Sequence, residues 1–306
     1  MGLVRLHDPA AAERFLAAER ASGKTVGFVP TMGALHEGHL GLVRAAAAEN
    51  DLAAVSIFVN PLQFDDPRDL ERYPRDFDAD AELLAGAGCA LAFTGSLGGF
   101  FPGARSTADV VSADPGPAAR GLEGEHRAGH FEGVATIVRR LFEIVRPERA
   151  YFGEKDFQQT LVVRHVSRVL REEGGPDVEI RVCGTSREDD GLARSSRNLL
   201  LDPTARARAV SLSRGLFAAR AAWRGGERDV DALETVLRGE LVGEGIETEY
   251  AVVLDPDRWG EWIAGSASRA EPLVRARALV AAKVWGESGR ERAVRLIDNL
   301  SLSGPA

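Results

Sequence analysis

Lysine is scarce in this 306-residue chain: Lys24, Lys155 and Lys283 stand against 35 arginines. Cysteine is scarcer still, with Cys89 and Cys183 far apart. That excludes a disulfide framework and a CxxC metal or redox pair, and leads us to expect buried structural thiols in a reducing cytoplasm. No apolar run approaches the roughly 18 residues of a membrane span. The start at Met1 has neither the basic and apolar regions of a secretion signal nor the myristoylation pattern. A soluble cytoplasmic protein that binds no membrane is the expectation. Basic charge is in deficit, 38 Lys and Arg against 46 Asp and Glu, a formal net charge of −8. Such a field repels nucleic acid.

Two nucleotide-binding signatures are also missing. Ser22-Gly23-Lys24-Thr25 looks like the tail of a phosphate-binding P-loop, but Ala18 stands where the pattern needs Gly, and the segment precedes a strand. Gly86-Ala87-Gly88 meets Leu91 in place of the third glycine of a dinucleotide fingerprint. Neither internal repeats nor low-complexity segments occur.

What remains is an ordinary globular composition, 44% hydrophobic and 27% charged, long enough for two domains. Asp8-Pro9 reads as a helix start and Gly23 as its stop. Residues 25–29 and 52–59 read as strands apolar on both faces, with a helix over 39–50 between them, a βαβ unit. Helix and strand then alternate: helix 76–85, strand 89–93, helix 131–145, strand end 150–153, helix 157–170, strand 178–183. The tract 95–117, rich in Gly and Pro, reads as a loop excursion, and the acidic run Asp65 to Glu82 as charge on an exposed loop and helix face. Beyond residue 185 come helices 203–223 and 230–242 and strands 248–254, 278–284 and 293–297. The expected fold class is α/β: a Rossmann-like doubly wound parallel sheet domain, 1–185, followed by a smaller α+β C-terminal domain, 186–306.

The densest chemical signal is Pro30-Thr31-Met32-Gly33-Ala34-Leu35-His36-Glu37-Gly38-His39, between the end of the first strand of the βαβ unit and its helix. In an open α/β sheet ligands bind there, and a helix N-terminus offers free N–H groups to phosphate. His36 and His39, three apart, face one way in a first helical turn, and glycine lets a ligand approach the backbone. A metal pair or two surface histidines are the competing readings; zinc would require further Cys or His ligands.

A His-x-Gly-His element at this place resembles the signature of a nucleotidyltransferase superfamily. With residues 56–64 (SIFVNPLQF), 70–76 (LERYPRD), 129–138 (GHFEGVATIV), 146–159 (RPERAYFGEKDFQQ), 190–198 (DGLARSSRN) and 295–299 (RLIDN), the chain resembles the pantothenate synthetase family of ATP-dependent pantoate:β-alanine ligases over almost its whole length. The resemblance implies that D-pantoate is activated by ATP as pantoyl adenylate, releasing pyrophosphate, and that β-alanine then displaces AMP. It also implies Mg²⁺ alongside ATP, with no ligand assigned, and a homodimer.

By the same resemblance Met32, Gly33, Ala34, Leu35, His36, Glu37, Gly38 and His39 line the ATP site. His39 stands at the family's proton-donor position and His36 beside it at the phosphates. Gly153, Glu154, Lys155 and Asp156 match a second ATP-binding stretch, where a mobile lysine charge can follow the phosphates. Arg194, Ser195, Ser196 and Arg197 match a third, with Arg197 counted, like Lys155, among the catalytic groups, and the resemblance places Ser186 near adenine as a backbone contact. Gln63 and Gln159 match contacts to pantoate, Gln63 also to β-alanine, and Asn60 is a neighbour. The turn role of a loop amide is the plainer reading for Asn60. Arg194 replaces a usual Met or Leu, so adenine either meets its backbone or stacks on its guanidinium. Ala128 stands where Pro is common, and Cys183-Gly184-Thr185-Ser186 replaces a Pro-containing stretch. A plain nucleotidyltransferase and a non-catalytic nucleotide-binding module are the alternatives.

Overall fold

The computed structural model describes residues 2–304; Met1, Pro305 and Ala306, on which the chain start and the expected outer domain bounds fall, lie outside the described residues. The described residues form two compact units.

The first unit holds residues up to Ala119, Glu123–Glu154 and Gln158–Gly184. Its six strands are β1 (Val4–Leu6), β2 (Val26–Thr31), β3 (Leu52–Ile57), β4 (Leu91–Phe93), β5 (Arg149–Gly153) and β6 (Glu179–Cys183). They form one parallel sheet in the order β1-β4-β3-β2-β5-β6. The helices are α1 (Pro9–Ala21), α2 (Glu37–Glu49), α3 (Pro67–Arg72), α4 (Phe77–Gly86), α5 (Leu97–Phe100), α6 (Glu123–His126), α7 (His130–Val145) and α8, which starts at Phe157 and ends at Glu172. Asp8 caps α1 through Ala10 N–H ahead of Pro9, and Gly23 follows with φ +86°. One face of the sheet packs Phe28, Phe93, Phe131 and Phe142 into a core with α1, α7 and α8, and the other packs Val29, Val43, Val55 and Tyr151 with α2 and α4. Burial on both faces explains the unbroken apolar run of β3.

The order has one topological consequence. From β2 the chain winds outward through β3 and β4 on one side and returns to β5 and β6 on the other. The direction reverses between β2 and β5, and the crevice at a switch point opens at the carboxyl ends of the strands.

The second unit holds Arg120–Leu122, Lys155–Phe157 and the chain from Thr185 on. Helices α9 (Pro203–Arg224) and α10 (Val230–Gly239) cover an antiparallel sheet β7-β8-β9, with β7 (Ile246–Leu254), β8 (Arg277–Val284) and β9 (Val294–Ser301); α11 (Trp259–Ile263) is short. Leu212, Leu216, Trp223, Leu233, Leu237 and Val280 belong to its core.

Several elements differ in extent from expectation. Helix α2 begins at Glu37 because His36 caps it, strand β3 stops at Ile57 ahead of the Asn60-Pro61 turn, and β9 runs to Ser301 because pairing with β8 continues to Arg277. Strand β1 was not expected; its three residues are held by pairing with β4.

Candidate active site

Three sequence-predicted stretches leave the carboxyl ends of neighbouring strands: Met32–His39 after β2, Asn60–Gln63 after β3, and Gly153–Glu154 at β5. Parallel pairing aligns Thr31 with Ile57, so the first two leave side by side. The Thr31 hydroxyl donates to the Ser56 carbonyl at 2.7 Å, tying the two exits together.

The turn after β2 is sharp. Gly33 has φ +87° and Ala34 φ +51°, a left-handed conformation that an L side chain rarely adopts. The next two N–H groups, of Ala34 and Leu35, donate to the Asp80 carboxylate of α4 at 3.0 and 2.8 Å. Asp80 is only 5% exposed, which corrects the expectation that the acidic run through Glu82 is all surface charge. Phe77, Ala81 and Leu84 make the inward face of α4, and Asp80 lies among them at helical spacing. A carboxylate within an apolar stripe was the signal available in the sequence. Burial pushes its carboxyl above the usual carboxylate range, against the pull of the two N–H groups.

His36 and His39 form a reciprocal cap. His36 Nδ1 accepts from Gly38 N–H at 3.2 Å, and His39 Nδ1 accepts from His36 N–H at 3.3 Å. A nitrogen that accepts carries no proton, which assigns the proton of each neutral ring to Nε2 as a donor. The rings lie 4.1 Å apart between centroids. Two imidazole donors at the start of a helix suit an anion with phosphate oxygens.

The Asn60–Gln63 turn is seated on α7. Asn60 is 1% exposed; its Oδ1 accepts from Leu62 N–H, and its Nδ2 donates to Gln63 Oε1 at 3.0 Å and to the Gly133 carbonyl at 3.1 Å. It therefore has the turn role and also fixes the Gln63 amide. His130 Nδ1 lies 2.9 Å from the Gln63 carbonyl, and a Cβ on Gly133 would meet Leu62 O at 2.2 Å. Within the motif 129–138, His130 and Gly133 are the residues that meet this turn. Of the two adjacent glutamines, Gln158 is tied to Glu123 N–H and the Ala118 carbonyl, and Gln159 is half-buried.

In the second unit, the Lys155 carbonyl accepts from Asn299 Nδ2 at 2.8 Å, and Lys155 Nζ lies 3.4 Å from Asp156 Oδ1. Residues 186–194 make a tight hairpin: Arg194 N–H donates to the Ser186 carbonyl and Glu188 N–H to the Leu192 carbonyl. Arg187 makes a two-pronged ion pair with buried Asp298 at 2.6 and 3.0 Å, so β9 anchors the hairpin through Asp298 and the Lys155 backbone through Asn299. Burial pushes the Asp298 carboxyl up while Arg187 opposes it. The Arg194 guanidinium is engaged by the Arg187 carbonyl and by Glu188 at 3.0 Å. The Ser195 hydroxyl accepts from Arg197 N–H, opening the turn Ser196–Leu200.

The other lysines have partners elsewhere: Lys24 pairs with Glu19, and Lys283 with Glu249 at 3.2 Å. Cys89 is buried and its thiol is pushed up to about 12 by burial; Cys183 is half-buried, short of the full burial expected of it. Among the described residues no three His, Cys, Asp or Glu side chains converge to hold a metal ion. Those side chains therefore do not form a protein cage for Mg²⁺.

The chain matches the family model described as pantoate-beta-alanine ligase over residues 5–301. The chain belongs to this family. The pantothenate synthetase of Gluconobacter oxydans (strain 621H) is 48% identical to this chain over 280 residues that cover 91% of this chain and 94% of that one. The crystal structure of pantothenate synthetase from Thermus thermophilus superposes with a TM-score of 0.82 at 39% identity, covering 99% of this chain and 100% of that one. The ligase from Francisella tularensis, whose crystal structure is described as complexed with beta-gamma ATP and beta-alanine, has a TM-score of 0.72 at 28% identity over 99% of both chains.

Proposed function

We infer that this chain joins pantoate to β-alanine at the expense of ATP, forming the carbon–nitrogen bond of pantothenate. Membership of the ligase family over residues 5–301 is the observation that carries this reading. The reaction runs in two steps. A carboxylate oxygen of D-pantoate attacks the α-phosphorus of ATP, the bond to the bridging oxygen breaks, and pyrophosphate leaves. The amine of β-alanine then attacks the acyl carbon of pantoyl adenylate; the C–O bond breaks, AMP leaves, and the nitrogen gives up a proton.

Negative charge builds on the α-phosphate and the departing pyrophosphate, so fixed donors around them supply most of the catalysis. His36 and His39 offer Nε2–H to these oxygens, with His39 as the proton donor. Met32–His39, Gly153–Asp156, Ser186 and Arg194–Arg197 bind ATP, with Lys155 and Arg197 as the charges that follow the phosphates. The engagement of the Arg194 guanidinium supports an adenine contact through its backbone. Gln63 and Gln159 hold pantoate, buried Asn60 acts behind them by fixing the Gln63 amide, and Gln63 also meets β-alanine. Mg²⁺, if carried in with ATP, would supply charge neutralisation at the phosphates, and no side chain here is assigned to hold it.

The division of labour belongs to the same proposal: residues 1–185 bind nucleotide and pantoate, and 186–306 close as a lid when ATP binds. Crystals with and without a nucleotide analogue test the lid; identical interdomain angle and loop order would overturn it. A homodimer in the cytoplasm completes the reading, and sedimentation tests the dimer.

Exchange of labelled pyrophosphate into ATP tests the first step. Exchange that requires pantoate is expected; pantoate-independent exchange would mark a plain nucleotidyltransferase, and ATP binding without exchange a non-catalytic module.

A further inference from the structure

We propose that Asp80 is the positioning residue of the ATP-binding turn, its buried carboxylate holding Gly33–Leu35 in shape through the N–H groups of Ala34 and Leu35. This rests on the reading that Met32–His39 lines the ATP site.

The geometry is that of a backbone cradle already filled from behind. Successive N–H groups beside a left-handed residue converge on one point and make an anion-binding concavity. Here the anion is the side chain of Asp80, at 3.0 Å from Ala34 N and 2.8 Å from Leu35 N. The turn it fills is one the chain would not adopt alone. Ala34 is held at φ +51°, and such conformations persist only where the surroundings over-determine them. Gly33 at φ +87° has room for no side chain, because a Cβ would lie 2.8 Å from Asp80 Oδ2 and 3.2 Å from Ile57 Cγ2.

A purely structural role fits less well. On the inward face of α4 an apolar residue would pack without the cost of burying a charge. The carboxylate instead directs its contacts to the two residues that precede His36, the helix cap. The turn's shape sets where the following N–H groups and the two imidazoles begin. Asp80 makes none of the contacts assigned to substrate, so it acts through the turn.

The test uses the full chain with Asp80→Asn. An amide of the same shape has one oxygen to accept and turns its NH₂ toward the other N–H. The KM for ATP is expected to rise about ten- to a hundredfold from the loss of a charge-assisted hydrogen bond. The KM for β-alanine is expected to stay within about twofold. An unchanged KM for ATP would overturn the proposal, as would a fall in kcat with every KM unchanged, the signature of a smaller active fraction. Should the variant fail to fold, amide hydrogen exchange in the parent chain decides: slow exchange at Ala34 and Leu35 is expected, and exchange at the rate of an open peptide would overturn it. His39→Ala separates the two readings. If it leaves ATP use intact, the assignment of the ATP site falls; if it disables ATP use while Asp80→Asn keeps the parent KM, the Asp80 proposal alone is overturned.

Discussion

The side-chain amide of Asn299 donates to the backbone carbonyl of Lys155 at 2.8 Å, and its oxygen accepts from Arg277. Arg277 in turn lies over the Phe157 ring at 4.2 Å. The Lys155 main chain is thus tied to β9 through Asn299. Asn299→Ala removes that donor and lets the backbone shift. A fall of about tenfold in pantoate-dependent exchange is expected, the size of one hydrogen bond, together with a lower thermal midpoint, because buried Arg277 loses its acceptor. Exchange at the parent rate would show that the contact does not position Lys155.

Lys155→Ala should fold as the parent does, because the ammonium lies beside its neighbour Asp156 and outside the cores. Exchange is expected to fall by at least about a hundredfold, the usual cost of one fixed donor at a developing charge. Circular dichroism and exchange rates on the same preparation check this. Near-normal exchange in the folded variant would remove Lys155 from the machinery.

Gly133→Ala puts a methyl group where Leu62 O would be 2.2 Å away, against backbone that cannot swing aside. Overpacking of this kind costs about 1–3 kcal/mol. The turn carrying Gln63 must move, so the KM for pantoate should rise as the urea midpoint falls. A variant with the parent's midpoint and KM would contradict the seating of this turn on α7.

Acid should loosen the hairpin 186–194. The Asp190 carboxyl is held below its ordinary value by the Arg206 guanidinium and by Leu192 N–H. A depressed carboxyl contributes stability that is present above the unfolded value, ~3.9, and is lost as pH falls through the folded one. Hydrogen exchange in the hairpin should therefore quicken below that range beyond the intrinsic pH trend, and Asp190→Asn should reduce the extra acid response, leaving the part that comes from the Arg187–Asp298 pair. An identical response in both chains would contradict it.

Most of the doubly wound sheet was legible because its strands are buried on both faces and its helices have a period of their own. The His-x-Gly-His stretch could be placed for the same reason: a strand end running into a capped helix is a local event. The positioning contacts were less visible. Asp80 reads as one more acid in a charged run until α4 is turned inward beside Phe77 and Leu84. Gly133 and Asn60 are 73 residues apart, and only folding brings the helix backbone against the turn. Asp298 and Asn299 sit on the last strand, where periodicity marks an edge but does not say that its adjacent side chains reach Arg187 and Lys155. Strand β1 was too short to register as a pattern at all.

The most direct measurement is product formation by the purified chain from ATP, D-pantoate and β-alanine, with each omitted in turn. Pantothenate and AMP should appear in equal amounts when all three are present, and neither should accumulate over many turnovers when any one is left out. Pantothenate formed without ATP, or ADP in place of AMP, would contradict ligation through an adenylate.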